Sequence, residues 1–326
     1  MNLSVIIPVH NGGDRFRRCL ETLAESDCIP DEIIVVDDAS TDASSSLASV
    51  SGARVITLKG DPRGPAFARN RGAREAYGEI LVFLDADVAV HKDTLARITG
   101  YFIDNSEAAA VFGSYDDDPP ERSIVSLYKN LQHHYVHQHG SQVSSTFWAG
   151  CGAIRRTIFE SVGGFCEKYT RPSIEDIELG RRITNTGYRI LLCPEIQVTH
   201  LKRWTFTGWL KCDIFDRAIP WSRLILSDSH LPDDLNLDWR NRVSALAAWA
   251  SILFCCLGFF FHWAWIVAGC FTTAVATTNR DLYRFFARKG GFAFATAAAV
   301  LHFFYFLYSS AVFAIVVAKG KLFQRT

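Results

Sequence analysis

Three groups of carboxylates recur along the first part of the chain: Asp37-Asp38 after Ile33-Ile34-Val35-Val36, Asp85-Ala86-Asp87 after Ile80–Leu84, and Glu175-Asp176 after Ser173-Ile174. Each is expected to follow a short apolar strand. Carboxylates at the ends of buried parallel strands are where an open α/β sheet builds its ligand crevice. Paired carboxylates suit two kinds of chemistry. They hold a hard divalent cation through oxygen ligands, and they accept a proton from an attacking group.

The elements that must position these groups follow from the apolar pattern. Residues 4–8, 32–36, 54–58 and 80–84 read as strands separated by helical stretches, the βαβ alternation of a parallel sheet. Phe16, Cys19, Leu20 and Leu23 share one helical face, and Ser40 or Asp42 is placed to cap the next helix. No GxGxxG or GxxxxGK[ST] occurs, so the dinucleotide and P-loop classes lose their main support. In residues 147–156, Gly150 and Gly152 flank Cys151 beside Trp148. Glycine permits close backbone approach, and Trp offers a flat platform for a sugar ring or lipid head. The alternative is a bulged strand. Asp176 could instead cap the helix after it, and Asp116-Asp117-Asp118 before Pro119-Pro120 reads as a solvated turn. His133 and His137 fall four apart, a spacing that can hold zinc, but no matching Cys or Glu motif accompanies them.

Composition divides the chain near residue 240. No charged residue occurs in 243–278 or in 292–318. A membrane-spanning helix needs about 20 apolar residues, so both runs qualify. Gly258 and His262 divide the first run into a hairpin, giving three crossings as the preferred number, or two if that run is partly re-entrant. Arg240 and Arg242 precede the hairpin, and Arg280, Arg284, Arg288 and Lys289 follow it, which puts that face in the cytoplasm. The tail residues Lys319, Lys321 and Arg325 would then lie on the side the same rule disfavours. A net charge of +0 argues against a nucleic-acid partner. Nine cysteines without a CxxC pair indicate a reduced compartment. No leader pattern precedes the first strand, so the soluble part is expected to stay where it is made.

The order of these motifs resembles the family 2 glycosyltransferases, inverting sugar transferases of the GT-A fold. The residues that carry it are Pro8, the double Asp, Gly64-Pro65-Ala66-Phe67-Ala68-Arg69-Asn70-Arg71-Gly72, Asp85-Ala86-Asp87, Gly163-Gly164-Phe165 and Glu175-Asp176. The resemblance covers residues 3–204 and implies an α/β fold with a mostly parallel, Rossmann-like sheet. It implies that Pro8, His10, Asn11 and Asp38 meet the nucleotide, with Arg69 and Asn70 lining its pocket. Asp85, Ala86 and Asp87 would meet ribose and the diphosphate, Asp85 and Asp87 through a metal, Mg²⁺ or Mn²⁺. Asp176 is implied as catalytic base with Glu175 as supporting acid. Trp148, Gly150 and Cys151 fall on the acceptor side. His200-Leu201-Lys202-Arg203-Trp204 is similar to the QxxRW segment of membrane polysaccharide synthases, with His200 in place of Gln. That likeness makes Arg203 a diphosphate contact and Trp204 an acceptor contact, while the changed residue disfavours processive synthesis.

The expected organisation is a catalytic domain over 1–200, an amphipathic interface segment over 201–240, and an all-α membrane domain over 241–326. The expected protein sits in the cytoplasmic (inner) membrane with its catalytic domain in the cytoplasm. Its donor would be a nucleotide-sugar, such as a UDP-sugar, and its acceptor a hydroxyl on a lipid or lipid-linked molecule. Two rivals stand beside this: transfer to a polyprenyl phosphate, where Asp176 matters less, and a catalytically inactive membrane scaffold.

Overall fold

A computed structural model of the chain describes residues 1–227 and 239–323. Residues 228–238 of the expected interface segment, and Arg325, lie outside the described residues. The chain divides into two compact units, residues 1–122 with 136–203, and residues 123–135 with 204–326.

The first unit is built on one mixed, mostly parallel sheet. Its strands are β1 (Leu3–Val9), β2 (Glu32–Asp38), β3 (Arg54–Leu58), β4 (Ile80–Leu84), β5 (Val88–Val90), β6 (Ala108–Tyr115), β7 (Val143–Ser144), β8 (Cys151–Arg155) and β9 (Arg189–His200). They run in the order β3-β2-β1-β4-β8-β6-β9-β5, with β7 beside β9. β3, β2, β1 and β4 are mutually parallel, as are β6 and β9, while β8 runs antiparallel between β4 and β6. β4 is Ile-Leu-Val-Phe-Leu and buried throughout, as a strand covered on both faces should be. The helix Gly13–Ala24 buries Phe16, Cys19, Leu20 and Leu23, the four that share a face in the sequence.

Glu175-Asp176 departs from the strand expectation. Ser173 and Ile174 make no strand, and Glu175 opens the helix Glu175–Asn185. Two residues are too few to tell a strand end from a helix entry, and the following periodicity of Leu179 and Ile183, both buried, belongs to the helix.

The second unit is helical. Helices Phe206–Lys211 and Ile219–Leu226 flank a π-helical turn, Cys212–Ala218. Helices Trp239–Leu257 and Trp263–Thr278 follow, divided where Gly258 and His262 stand. The last, Arg280–Phe323, is broken at Gly291, whose φ is 81°. Tyr128, Trp209 and Phe286 pack at its centre. The carboxylate of Asp213 is buried there, accepting from Lys129 Nζ at 3.1 Å, Trp209 Nε1 at 2.8 Å and the Tyr308 hydroxyl at 2.8 Å. Among the described residues one helix, Arg280–Gly320, is long and apolar enough to cross a membrane, and Trp263–Thr278 is apolar but shorter.

Candidate active site

Because β1, β2 and β4 are parallel neighbours, the segments leaving their carboxyl ends meet along one edge of the sheet. Pro8 lies in β1 beside Val36, and the next residues turn over β2. His10 Nδ1 donates to the carbonyl of Asp38 at 2.7 Å. Asn11 adopts a left-handed φ of 52°, which its short polar side chain tolerates, and its Oδ1 accepts the backbone N–H of Thr41 at 2.8 Å. Asp38 is buried and its oxygens accept the backbone N–H groups of Arg63 and Gly64 at 2.9 and 2.7 Å. Gly64 has φ 90°, and a Cβ there would come within 2.5 Å of the Thr170 carbonyl, so the position requires glycine. Asp38 therefore shapes the loop leading into the helix Pro65–Glu75.

The Asp85-Ala86-Asp87 turn is held by its backbone. Asp85 N–H donates to Gly150 O at 3.2 Å, and Asp87 O accepts Leu201 N–H at 2.9 Å. Ala86 packs on the sheet core, leaving both carboxylates partly exposed at the crevice. Burial and the like charge of Asp87 push the Asp85 carboxyl up, against the pull of Arg69 and Lys202. Two carboxylates that repel each other at a partly open edge fit a hard cation that takes one or two carboxylates and completes its shell with waters and phosphate oxygens. Mg²⁺ or Mn²⁺ would be held there by Asp85 and Asp87. His200 borders the same turn, its Nε2 lying 4.0 Å from Asp87 Oδ2 and its ring stacked on Tyr115 at 4.1 Å.

Arg69 and Asn70 are buried and engaged by protein groups. The Asn70 side chain ties the glycine turn in place, donating to Phe165 O at 2.8 Å and accepting from Phe165 N at 2.8 Å. Arg69 spans the crevice floor, with Nη2 on Asp85 Oδ1 at 2.6 Å and Nη1 on Glu175 Oε1 at 2.9 Å. Asp176 lies in the first turn of Glu175–Asn185, where the helix dipole favours negative charge. It does not cap that helix: the N-cap is Ile174. Its Oδ2 accepts Ala149 N–H at 3.2 Å. Although the side chain keeps some contact with solvent, desolvation deep in the crevice raises its carboxyl. Together with the like charge of Glu175, this outweighs the opposing effect of Arg69 and brings the carboxyl to about 7.

Of the residues expected on the acceptor side, the indole of Trp148 lies on Gly150, where a Cβ would approach it to 2.5 Å, and meets Tyr115 and His137 edge-on at 4.8 and 5.5 Å. Cys151 opens β8, and burial pushes its thiol up to about 12, which leaves it inert. Arg203 is exposed. Trp204 belongs to the helical unit, where its N–H donates to Ser126 Oγ at 2.8 Å. His137 is buried, with Nδ1 donating to Gly113 O at 2.9 Å. Among the described residues no three His, Cys, Asp or Glu side chains gather as a metal cage. Asp116 is no solvated turn residue: it is buried, accepting from Thr199 Oγ1 and lying 3.0 Å from His91 Nε2. The sequence did not single out Lys202, whose charge acts on Asp85. Its place two residues after His200, which pairs with Val88 at the start of β5, was the available clue.

Residues 4–163 match the family described as Glycosyl transferase family 2. The O-antigen chain rhamnosyltransferase RfbN of Salmonella typhimurium is 24% identical over 236 residues, 68% of this chain and 74% of that one. The pre-mycofactocin glycosyltransferase of Mycobacterium tuberculosis is 28% identical over 219 residues, 64% of this chain and 44% of its own length. Among solved structures, the mannosyltransferase PcManGT of Pyrobaculum calidifontis, in complex with GDP-Man and Mn²⁺, superposes with TM-score 0.56 at 22% identity, over 92% of this chain and 86% of that one. TarS 1-349 of S. aureus with UDP-GlcNAc gives 0.52 at 18% identity, over 95% and 92% of the two chains. Both share the GT-A fold with this protein. With the matched domain, the fold and these relatives together, the chain belongs to the family 2 glycosyltransferases.

Proposed function

We propose that the protein moves one sugar, with inversion, from a nucleotide donor such as a UDP-sugar to a hydroxyl of a lipid or lipid-linked acceptor. Asp176 is the general base. The observation that carries this is a crevice carboxylate brought to about 7 and held by the N–H of Ala149, beside an indole platform. A base is most effective with a pKa near the working pH. A phosphate acceptor is already ionised and needs no such group, so the tuned Asp176 favours a hydroxyl.

The acceptor oxygen attacks the anomeric carbon as its proton passes to Asp176. The bond from that carbon to the donor phosphate breaks, and the nucleoside diphosphate leaves with the electron pair. Asp85 and Asp87 would hold a divalent cation, which would supply Lewis-acid neutralisation of the leaving diphosphate. His10, Asn11 and the loop organised by Asp38 bind the nucleotide, and Arg203 reaches the diphosphate. Trp148 with Gly150 and Cys151 forms the acceptor side.

Membrane attachment belongs to the same proposal. PcManGT and TarS supply examples of nucleotide-sugar donors, one with Mn²⁺, and RfbN acts on an O-antigen chain. The helical unit exposes Phe259, Phe260 and Phe292 at 79%, 78% and 84%. Aromatic exposure on that scale suits lipid better than water. Residues 1–200 would be the catalytic part, 201–240 the interface, and 241–326 the membrane part in the cytoplasmic membrane.

The test is release of nucleoside diphosphate from a panel of nucleotide-sugars by protein purified in detergent with native lipid and Mn²⁺. Release from one donor, lost in Asp85→Asn and Asp176→Asn, is the expected result. A modest loss in Asp176→Asn would point to a phosphate acceptor. No release from any donor would leave the inactive scaffold.

A further inference from the structure

Glu175 and Asp176 are neighbours in sequence but face different partners. Asp176 accepts backbone N–H groups from Ala149 and Ile177 at 3.2 and 2.8 Å. Both oxygens of Glu175 are taken: Oε1 by Arg69 Nη1 at 2.9 Å, and Oε2 by Ser173 N–H at 2.8 Å. The side chains of Glu175 and Arg69 are each 5% exposed. A carboxylate so enclosed is poorly placed to trade protons with a substrate. The other arm of Arg69 holds Asp85 Oδ1 at 2.6 Å, and Asp85 remains 32% exposed at the crevice. The chain Glu175–Arg69–Asp85 thus joins the start of the helix Glu175–Asn185 to the end of β4 through one guanidinium, whose planar fork serves two carboxylates at fixed geometry.

We infer that Glu175 is a positioning residue for the donor diphosphate, acting through Arg69 on Asp85, while Asp176 alone serves the acceptor. This rests on the transferase reading above. The charge balance gives the reason. With Glu175 ionised, the buried charge of Arg69 is neutralised by Glu175, and Asp85 and Asp87 together offer a cation two negative charges. With Glu175 neutral, the whole charge of Arg69 falls on Asp85. The cation then meets a net of one negative charge, from a carboxylate more tightly held by arginine. Arg69 is enclosed, and charge interactions strengthen away from water, so the change is felt at Asp85.

The experiment is calorimetric titration of the full chain with UDP, GDP and dTDP, each with and without MnCl₂, for wild type, Glu175→Gln and Asp176→Asn. The expected result is that Glu175→Gln weakens Mn²⁺-dependent diphosphate binding about tenfold. Its Mn²⁺-free binding should match wild type, and Asp176→Asn, whose charge acts on Arg69 as well, should weaken Mn²⁺-dependent binding less than Glu175→Gln does. A purely structural role for Glu175 would lower both kinds of binding alike and overturn the inference. So would Mn²⁺-dependent binding unchanged in Glu175→Gln. If Glu175→Gln does not fold, Arg69→Lys keeps the buried charge and loses only the fork. The same selective loss is then expected, and unchanged binding overturns the inference. Wild type that binds none of the three with Mn²⁺ would overturn the transferase reading itself, and this inference with it.

Discussion

The backbone N–H of Ala149 donates to Oδ2 of Asp176 at 3.2 Å, so the segment that carries Trp148 also orients the candidate base. The peptide that follows Trp148 therefore ties β8's approach to the first turn of the helix Glu175–Asn185.

If Asp176 is the base, it must be ionised to act. With its carboxyl near 7, kcat/KM should rise with pH up to a midpoint near 7 and then level off. Burial and Glu175 raise it, Arg69 opposes them, and the N–H groups of Ala149 and Ile177 also favour the ionised form. Asp176→Asn should lose roughly 10²–10⁴ in kcat. A pH–rate profile of diphosphate release, with wild type and variant side by side, measures both.

The same carboxyl costs stability. Its folded-state pKa lies above the ordinary value of 3.8, so the folded chain holds this proton more tightly than the unfolded chain does. That contribution is fully present below the unfolded value and is lost as pH rises through about 7. Asp176→Asn should therefore be more stable than wild type at pH 8 by about 1 kcal/mol, or roughly 2–4 °C in Tm. The difference should shrink towards pH 5. Thermal melts across that range decide it.

Gly150→Ala should separate the acceptor side from the donor side. Its Cβ would come within 2.5 Å of the Trp148 indole, which must then turn off the platform. Acceptor KM should rise by about tenfold or more, with nucleoside diphosphate affinity changed far less. Steady-state kinetics with each substrate varied in turn provides the measurement.

In the helical unit, Lys129→Met should destabilise strongly. It leaves Asp213 buried with its nearest cation gone and Arg217 4.0 Å away, a change that typically costs about 3–5 kcal/mol. Lys129 and Arg217 hold the Asp213 carboxyl below its usual range even though burial pushes it the other way. The double variant Lys129→Met with Asp213→Leu should recover part of the loss, as denaturation in detergent would register.

Much of the first unit was legible because its signals are local. Ile80–Leu84 is one unbroken apolar run, and such a run ahead of a polar turn has few foldings open to it. The face of Phe16, Cys19, Leu20 and Leu23 is likewise a matter of spacing. What the pattern does not encode is which way a polar side chain turns when its partner lies far along the chain. Arg69 finds Glu175 106 residues away, and Asn70 finds Phe165 95 residues away. Both therefore read as pocket lining from their motif, yet they fold inward as ties. Asp116 read as solvated because its neighbours are Asp and Pro. It is buried because β9 brings Thr199 against it. The helix Ile124–His139 shows the same limit at larger scale, since no composition shift marks residues 123–135 as part of the helical unit.

The break at Gly291 sets a length that matters for any bilayer around this protein. Beyond it, residues 292–318 run as uninterrupted uncharged helix. At 1.5 Å per residue that is a rod of about 40 Å, against a hydrocarbon layer about 30 Å thick. The mismatch leaves two accommodations: the rod leans steeply, or its last turns stand in the headgroup layer. The glycine break is what permits a lean, because the charged arm before it need not follow the same axis. Membrane thickness would then be a variable that reaches this enzyme, through the angle of one helix.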